Sequence, residues 1–232
     1  MKPLNDFDWS ALEIELNAQG QAILPALLSA DECDALMNSA ADDAASSQAV
    51  RLETLDLGRG EQKFFGAALP APLEQLRRDL YARLAPIAGR WSEVMGLEGR
   101  YPGDLDSFLK VGHRADQRRP QSAVSKLREG DYVALHQNAE GEKVFPLQAV
   151  VLLSEPGTQF SGGELAMTEQ RPRMQSRPMV VPLRRGDAVV FAVQYRPFKG
   201  TKGFYRVNLK HAVSRVRSGE RIAVELLLHD AR

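Results

Sequence analysis

The stretch from Lys126 to His229 organises this chain, and it closes on the run Arg221-Ile222-Ala223-Val224-Glu225-Leu226-Leu227-Leu228-His229. Successive side chains of a β-strand point to opposite faces, so the even-numbered positions of this run form one wholly apolar face. The odd-numbered positions form a second face that carries Arg221, Glu225 and His229. This alternation predicts a strand that packs its apolar face against other elements and turns its charged face into a cavity.

Two histidines stand upstream of this run at positions that also read as strands. His136 and Asn138 are two residues apart in Leu135-His136-Gln137-Asn138, so their side chains should project from the same side of a strand. His211 follows 75 positions after His136, at the end of a strand-like run, and ten residues before Arg221. We therefore expect these four side chains to face one cavity.

The residue types in this set indicate a particular chemistry. Two imidazoles and one oxygen ligand on three corners of an octahedron leave open positions on ferrous iron for a chelating co-substrate and for oxygen. A buried arginine suits the distal carboxylate of a dicarboxylate such as 2-oxoglutarate, because its planar guanidinium can form two charge-assisted hydrogen bonds. The sequence thus predicts iron bound by His136, Asn138 and His211, and 2-oxoglutarate bound by Arg221. Tyr132, expected on the face of His136, either hydrogen-bonds the co-substrate or fills the lumen.

At these residues the chain resembles the iron- and 2-oxoglutarate-dependent dioxygenases that have a double-stranded β-helix core. The closest likeness is to a bacterial branch distantly similar to prolyl hydroxylases. The likeness extends over about the last 110 residues through motifs such as Val144-Phe145-Pro146-Leu147-Gln148, Phe160-Ser161-Gly162-Gly163-Glu164-Leu165 and His211-Ala212-Val213-Ser214-Arg215-Val216. It implies Fe(II) and 2-oxoglutarate as cofactor and co-substrate, with ascorbate as an additional candidate. It also implies hydroxylation of an unactivated C–H bond coupled to decarboxylation of 2-oxoglutarate to succinate.

One position departs from the pattern of that family. Its metal motif is His-x-Asp or His-x-Glu, whereas this chain has Asn138, whose neutral amide oxygen binds a divalent cation less strongly than a carboxylate. Asn138 is therefore open to three interpretations: a weak oxygen ligand, a residue that positions a metal-bound water, or a mark of lost metal affinity. Glu140 and Glu225 are nearby carboxylates that could compensate, or that are instead a surface group and a partner of Arg221. The alternative to an oxygenase is a non-catalytic relative that binds a dicarboxylate or a partner protein.

The amino-acid composition limits the expected binding partners and the expected cellular compartment. Thirty basic residues balance thirty acidic ones, which argues against a nucleic-acid partner and leaves a small molecule or a protein side chain as the expected substrate. From Arg171 to Arg221, however, 13 basic residues stand against two acids, so either solvated strands or a surface for an anionic partner is expected there. Nucleic-acid demethylation is a third hypothesis that depends on this basic stretch alone. A single cysteine, a polar N-terminus and the lack of a long apolar run predict a cytoplasmic protein without a membrane segment.

The chain reads as one domain of mainly β class with flanking α-helices. Residues 1–121 are expected to supply helical support and a sheet extension, and residues 122–232 the double-stranded β-helix, or jelly-roll, core. The predicted helices span 6–17, 29–45, 70–95 and 104–111, with a short strand over 21–24 and a hairpin from 50–57 to 62–65 around Gly58-Arg59-Gly60. Eight further strands are predicted over 124–128, 131–137, 147–154, 164–168, 179–182, 188–193, 205–213 and 221–229. With no helix between them, such strands are typical of an antiparallel jelly roll whose outer face is braced by the N-terminal helices.

Overall fold

The computed structural model describes residues 1–41, 46–66, 68–97 and 100–232. Within these residues there are four α-helices: α1 (Trp9–Gln19), α2 (Ala30–Ala41), α3 (Ala71–Val94) and α4 (Leu105–Arg114). The same residues form fourteen strands: β1 (Gln21–Leu24), β2 (Ser46–Arg51), β3 (Gly58–Arg59), β4 (Glu61–Phe65), β5 (Ala123–Arg128), β6 (Tyr132–His136), β7 (Leu147–Leu152), β8 (Phe160–Gly162), β9 (Leu165–Gln170), β10 (Arg177–Val181), β11 (Ala188–Ala192), β12 (Tyr195–Gly200), β13 (Gly203–Val213) and β14 (Val216–Leu227).

The strands form two antiparallel sheets. The larger sheet has the order β1-β11-β7-β14-β5-β4-β2, and β8 pairs with β14 beside this path. The smaller sheet has the order β10-β9-β13-β6-β3, and β12 pairs with β13. Every residue of β7 and β11 is buried, as expected for central strands that are covered on both faces. This arrangement confirms the predicted mainly β class with a jelly-roll core and flanking helices.

Helix α3 braces the larger sheet, as its apolar stripe predicts. Six residues at helical spacing are buried along it: Leu73, Leu76, Leu80, Leu84, Ile87 and Trp91. Burying one such leucine stabilises the fold by about 1.5–3 kcal/mol. At the end of β14, the Arg77 Nε donates to the carbonyl of Leu227 at 2.7 Å. The helix is therefore held to the sheet by apolar packing and by a buried polar contact.

The helix termini follow local capping rules. The side chain of Asp8 accepts hydrogen bonds from the backbone amides of Ser10 and Ala11, so α1 begins at Trp9 and not at the predicted Asp6. At the start of α2, Ser29 and Glu32 form the predicted capping box, with bonds of 2.9 and 3.3 Å. The predicted end of α2 near residue 45 lies outside the described residues.

The predicted hairpin around Gly58-Arg59-Gly60 is only partly confirmed. Strands β2 and β4 do pair and extend the larger sheet through β5, but Leu52–Leu55 forms a 3₁₀-helix. Residues Gly58–Arg59 are not a turn; they form β3 and pair with β6 of the smaller sheet. At Gly58, φ is +117° and an added Cβ would lie 2.5 Å from the Tyr132 carbonyl oxygen, so this crossing between sheets requires glycine.

Eight of the strands in the jelly-roll core match the predicted ones, with shifted ends. Two further strands were not predicted: β8, which has three residues, and β12, whose alternation is obscured by Pro197 and Lys199. None of the helices in the described residues combines the length and the apolar composition that a bilayer crossing requires.

Candidate functional site

The pairing of β6 with β13 brings the two predicted histidine ligands together. His211 lies directly opposite His136 in the antiparallel register, and the centroids of the two rings are 4.1 Å apart. His211 is 4% exposed, and the ring of Phe191 packs edge-on against it at 4.9 Å. Residues 75 positions apart in the chain thus present adjacent imidazoles, as the sequence analysis expected.

The surroundings of the two rings suit metal binding. The Nδ1 of His136 lies 2.9 Å from the carbonyl oxygen of Ala134, and donation from Nδ1 leaves the Nε2 lone pair free. The Nδ1 of His211 is buried without a hydrogen-bond partner. Burial, and secondly the nearby His136, hold the pKa of His211 well below the usual 6.5. At neutral pH both conditions suit a metal-ligating imidazole.

His136 and Asn138 line a cavity of about 270 Å³ that also contains Glu140 and Glu225. The Nδ2 of Asn138 donates to the Oε1 of Gln148 at 2.8 Å. This bond uses a donor of the amide, so the amide oxygen of Asn138 remains available as an acceptor. The side chain of Asn138 is therefore held in place by a neutral neighbour.

The two carboxylates of this cavity have different surroundings. Glu140 is 56% exposed and forms an ion pair of 2.6 Å with Arg119 at the rim. Glu225 is partly exposed and accepts a hydrogen bond of 3.2 Å from the Nε2 of Gln62 on β4. Burial raises the pKa of Glu225, while the nearby His136 and Arg221 oppose that rise. Glu225 is thus the less exposed of the two carboxylates in the cavity that His136 lines.

Arg221 is buried on β14, at 2% exposure, and burial lowers its pKa to about 10. It lines a second cavity, of about 250 Å³, and does not line the one that holds His136. The expectation that the four predicted site residues face one cavity is therefore wrong for Arg221. Its charge still affects Glu225 electrostatically. Its guanidinium forms no hydrogen bond or ion pair with the part of the chain that the structure describes. The backbone of Gly163 passes so close that an added Cβ would lie 3.0 Å from the Arg221 Cδ.

The structure does not bring Tyr132 to this site. Between the pairs His211–His136 and Val213–Val133, one residue of β13 lies opposite two residues of β6, which is a β-bulge. The extra residue reverses the alternation, so Val133 is buried whereas Tyr132 is 38% exposed. The expectation that Tyr132 shares the face of His136 fails for this reason.

Two glutamines of the site were not singled out from the sequence. Gln148 is 1% exposed on the wholly buried strand β7 and binds Asn138, while its Nε2 has no partner. Gln62 is 9% exposed and reaches Glu225 from the sheet extension. A glutamine inside an otherwise apolar strand was a signal for Gln148, but only the pairing of β4 with β5 brings Gln62 to the site.

Two imidazoles side by side fit two corners of an Fe(II) coordination sphere. Across the described ranges, no three side chains of His, Cys, Asp or Glu are assembled as a metal-binding group. The residues therefore fit iron at two corners, and the third, anionic corner is not formed in this arrangement.

Solved structures that share this fold include an oxygenase of the 2-oxoglutarate–Fe(II) type and prolyl hydroxylases. A prolyl-4-hydroxylase of Pseudomonas putida aligns over 94% of this chain and 96% of its own, with a TM-score of 0.57 and 14% identity. An oxidoreductase of the 2OG-Fe(II) oxygenase family from Burkholderia pseudomallei aligns over 99% of this chain and 96% of its own, with a TM-score of 0.56 and 17% identity. The fold is thus that of 2-oxoglutarate–Fe(II) oxygenases.

Sequence comparison gives the family. Residues 60–231 match the model of a family described as an oxygenase catalysing oxidative methylation of damaged DNA. Two uncharacterised proteins from strains of Mycobacterium tuberculosis are each 41% identical over 167 residues, which cover 72% of this chain and 72% of each relative. The chain belongs to this oxygenase family, which confirms the resemblance to distant relatives of the prolyl hydroxylases.

Proposed function

We propose that the protein is an Fe(II)- and 2-oxoglutarate-dependent oxygenase that hydroxylates its substrate. The observation that carries this proposal is the pair His136 and His211, with ring centroids 4.1 Å apart inside the jelly roll. Arg221, buried and without a protein partner for its Nε, supports the proposal as the residue that would bind the distal carboxylate of 2-oxoglutarate.

Bound iron and 2-oxoglutarate supply the oxygen chemistry, in which one atom of O₂ enters succinate as CO₂ leaves and the other enters the substrate. The residues of the chain provide binding and orientation. The hydrogen bond from Nδ1 of His136 to the Ala134 carbonyl would fix the ring so that Nε2 faces the cavity. The burial of Arg221 strengthens its attraction for a carboxylate, because little water competes with that contact.

Iron and 2-oxoglutarate binding can be tested without knowing the substrate. Anaerobic addition of both should produce the weak visible charge-transfer band of a chelated complex, and in air the protein should form succinate. His211→Ala should abolish both signals, whereas His113→Ala, at a histidine that pairs with Asp230 and lines neither cavity, should retain them. A featureless spectrum together with no succinate would instead support the non-catalytic alternative. Adding ascorbate to the same assay tests whether it sustains turnover.

Damaged DNA is a second candidate substrate, beside a small molecule or a protein side chain. The description of the matching family supports it, and so does a group of exposed cations on β12, β13 and the turn between them: Lys199, Lys202, Arg206 and Lys210. These cations lie on the sheet that carries His211. An oligonucleotide with alkylated bases should then raise succinate formation above that with the undamaged strand. Lys199→Glu combined with Lys202→Glu should weaken this stimulation. Equal rates with both strands would favour the other substrate classes.

A further inference from the structure

The hairpin of β12 and β13 carries a concentration of positive charge. From Tyr195 to Val213 the chain has five lysines and arginines and no acidic residue. Arg196 is buried and pairs with Glu169. The other four are exposed: Lys199, Lys202, Arg206 and Lys210. None of the three lysines forms an ion pair with a residue that the structure describes, so they are available to an anionic partner.

An exposed aromatic ring stands among these cations. Phe204 is 48% exposed, although phenylalanine is among the residue types that folding most often buries. It lies directly opposite Lys199 in the register of β12 and β13, so both side chains project from the same face. Alternation along β13 places Arg206 and Lys210 on this face as well, and Lys202 lies in the turn at its end. The hairpin thus presents a ring with cations around it.

Phe204 also forms one wall of an apolar groove of about 490 Å³ between the hairpin and helices α1 and α3. Ile14 and Val94 of these helices line the groove and are 69% and 38% exposed. The carboxylate in its lining, Glu13, accepts two bonds from Arg90, at 2.8 and 2.7 Å, so an arginine compensates its charge. A pocket within the range of roughly 300–1,000 Å³ takes a small organic group. The groove therefore has room for a flat ring system beside Phe204.

Cations around an exposed aromatic ring are the combination that binds single-stranded nucleic acid. The cations attract the phosphates, while the ring stacks on a base of any sequence through its π-face. A duplex keeps its bases stacked on one another, so a ring on a protein surface reaches only an unpaired base. The strand rise of about 3.3 Å per residue puts Lys210 roughly 20 Å from Phe204, which is long enough to follow a short single strand.

We propose that the hairpin surface formed by Lys199, Lys202, Phe204, Arg206 and Lys210 binds single-stranded nucleic acid. One base stacks on Phe204 in the groove, and the phosphates contact the cations. Lys210 immediately precedes His211, so the surface extends along the strand that carries one of the paired imidazoles. That the bound strand is a substrate rests on the proposed function, in which damaged DNA is the second candidate; the binding itself does not.

Fluorescence anisotropy with a labelled oligothymidylate of about twelve nucleotides tests the surface without iron or 2-oxoglutarate. The wild-type protein should bind this probe, and Phe204→Ala should weaken binding about fivefold or more at constant salt, because it removes one stacked base. Phe204→Trp keeps a stacking ring and should retain the affinity within about threefold. Tyr132→Ala, at an aromatic side chain of β6 that is 38% exposed, is the matched control and should bind as the wild type does.

The cations have a different signature, which is the dependence of affinity on salt. Lys199→Gln combined with Lys202→Gln should reduce the slope of log affinity against log salt by about 1.4, since each phosphate contact on a single strand contributes about 0.7. Phe204→Ala should leave this slope unchanged. Polyglutamate is a polyanion without bases, so the wild-type protein and Phe204→Ala should bind it with the same affinity.

The outcomes separate this surface from the proposed oxygenase. A wild-type protein that does not bind the oligothymidylate would overturn the surface. Unchanged binding in Phe204→Ala, or an equal loss in Tyr132→Ala, would overturn the role of the ring. If Phe204→Ala weakens polyglutamate binding as much as oligothymidylate binding, the groove serves a protein partner instead. The charge-transfer band and the succinate formed without an oligonucleotide should persist in Phe204→Ala. Their absence from a wild-type protein that binds the probe would contradict the oxygenase and leave the surface intact.

Discussion

Arg221 is a buried cation without a contacting counter-ion among the described residues, and such a group is costly unless a ligand supplies the opposite charge. Its pKa, lowered to about 10 by burial, still leaves it charged at neutral pH. An anion such as 2-oxoglutarate would therefore recover part of the free energy that burial costs. This makes the response of Arg221 variants to 2-oxoglutarate a sensitive test.

Arg221→Met should remove the thermal stabilisation that 2-oxoglutarate gives the wild-type protein. The variant loses two charge-assisted hydrogen bonds, worth about 1.5–3 kcal/mol each, so the dissociation constant for 2-oxoglutarate should rise by about 100-fold or more. Melting temperatures measured over a 2-oxoglutarate titration provide the readout. Arg215→Met, at an exposed arginine, is the control and should retain the full shift. An unchanged titration in Arg221→Met would remove this residue from the binding site.

Asn138→Asp places a charged oxygen two residues from His136, where the family motif has its carboxylate. We expect the substitution to tighten Fe(II) binding about tenfold, because a carboxylate attracts a divalent cation more strongly than a neutral amide does. Anaerobic Fe(II) titration of the variant and of the wild type measures the difference. Equal affinities would mean that the side chain at 138 does not contact the metal.

At the scale of the elements, two local backbone features position the site. The bulge on β6 aligns His136 with His211 while turning Tyr132 outward. The turn after β8 brings Gly163, at φ +65°, against Arg221, Val216 and Phe160, all within 3.3 Å of an added Cβ. The packing around Arg221 thus depends on the absence of a side chain at 163.

Gly163→Ala should destabilise the protein more than Gly157→Ala. Both glycines have positive φ, so alanine brings a backbone strain of about 1 kcal/mol at either position. Only at 163 does the new methyl group also meet packed atoms, since nothing lies within 4 Å of an added Cβ at Gly157. Overpacking adds about 1–3 kcal/mol, which urea unfolding would resolve. Equal losses of stability in the two variants would contradict the close contact at 163.

At the scale of the whole molecule, folding of the jelly roll also buries a titratable group that the proposed chemistry does not use. His229, just after β14, is 1% exposed and lies beside the backbone of Asn138. Burial lowers its pKa to about 4 from the usual 6.5. The folded protein therefore holds His229 neutral over a range in which the unfolded chain protonates it.

Stability should fall with acidification through this residue. Between pH 6.5 and pH 4 the unfolded chain binds the additional proton, so the free energy of unfolding decreases as pH falls through that window and is fully retained above it. At pH 5 the loss from His229 is about 2 kcal/mol relative to pH 7. His229→Leu cannot titrate, so its unfolding free energy should fall less between pH 7 and pH 5. An identical fall in both proteins would show that His229 does not contribute.

Much of the architecture could be predicted because its signals are local. The alternation over Arg221–His229, the capping box at Ser29 and the apolar stripe of α3 each depend on residues a few positions apart. The candidate ligands His136 and His211 could be named for the same reason, since each ends a recognisable strand. Strand β3 and the outward orientation of Tyr132 were not predicted. A chain crossing between two sheets at a glycine, and a bulge of one extra residue, both depend on how the partner strand pairs.

By itself, the sequence determined eight strands of the jelly-roll core, the apolar face of β14 and the placement of His136 and His211 on strands. Period-two alternation and turn chemistry are properties of neighbouring residues, so they need no knowledge of the fold. Only the tertiary structure decided that Gln62 binds Glu225 in the cavity that His136 lines, and that Arg221 lines a cavity of its own. Those relations depend on the register between strands far apart in the chain, and register is set by the packing of the whole sheet.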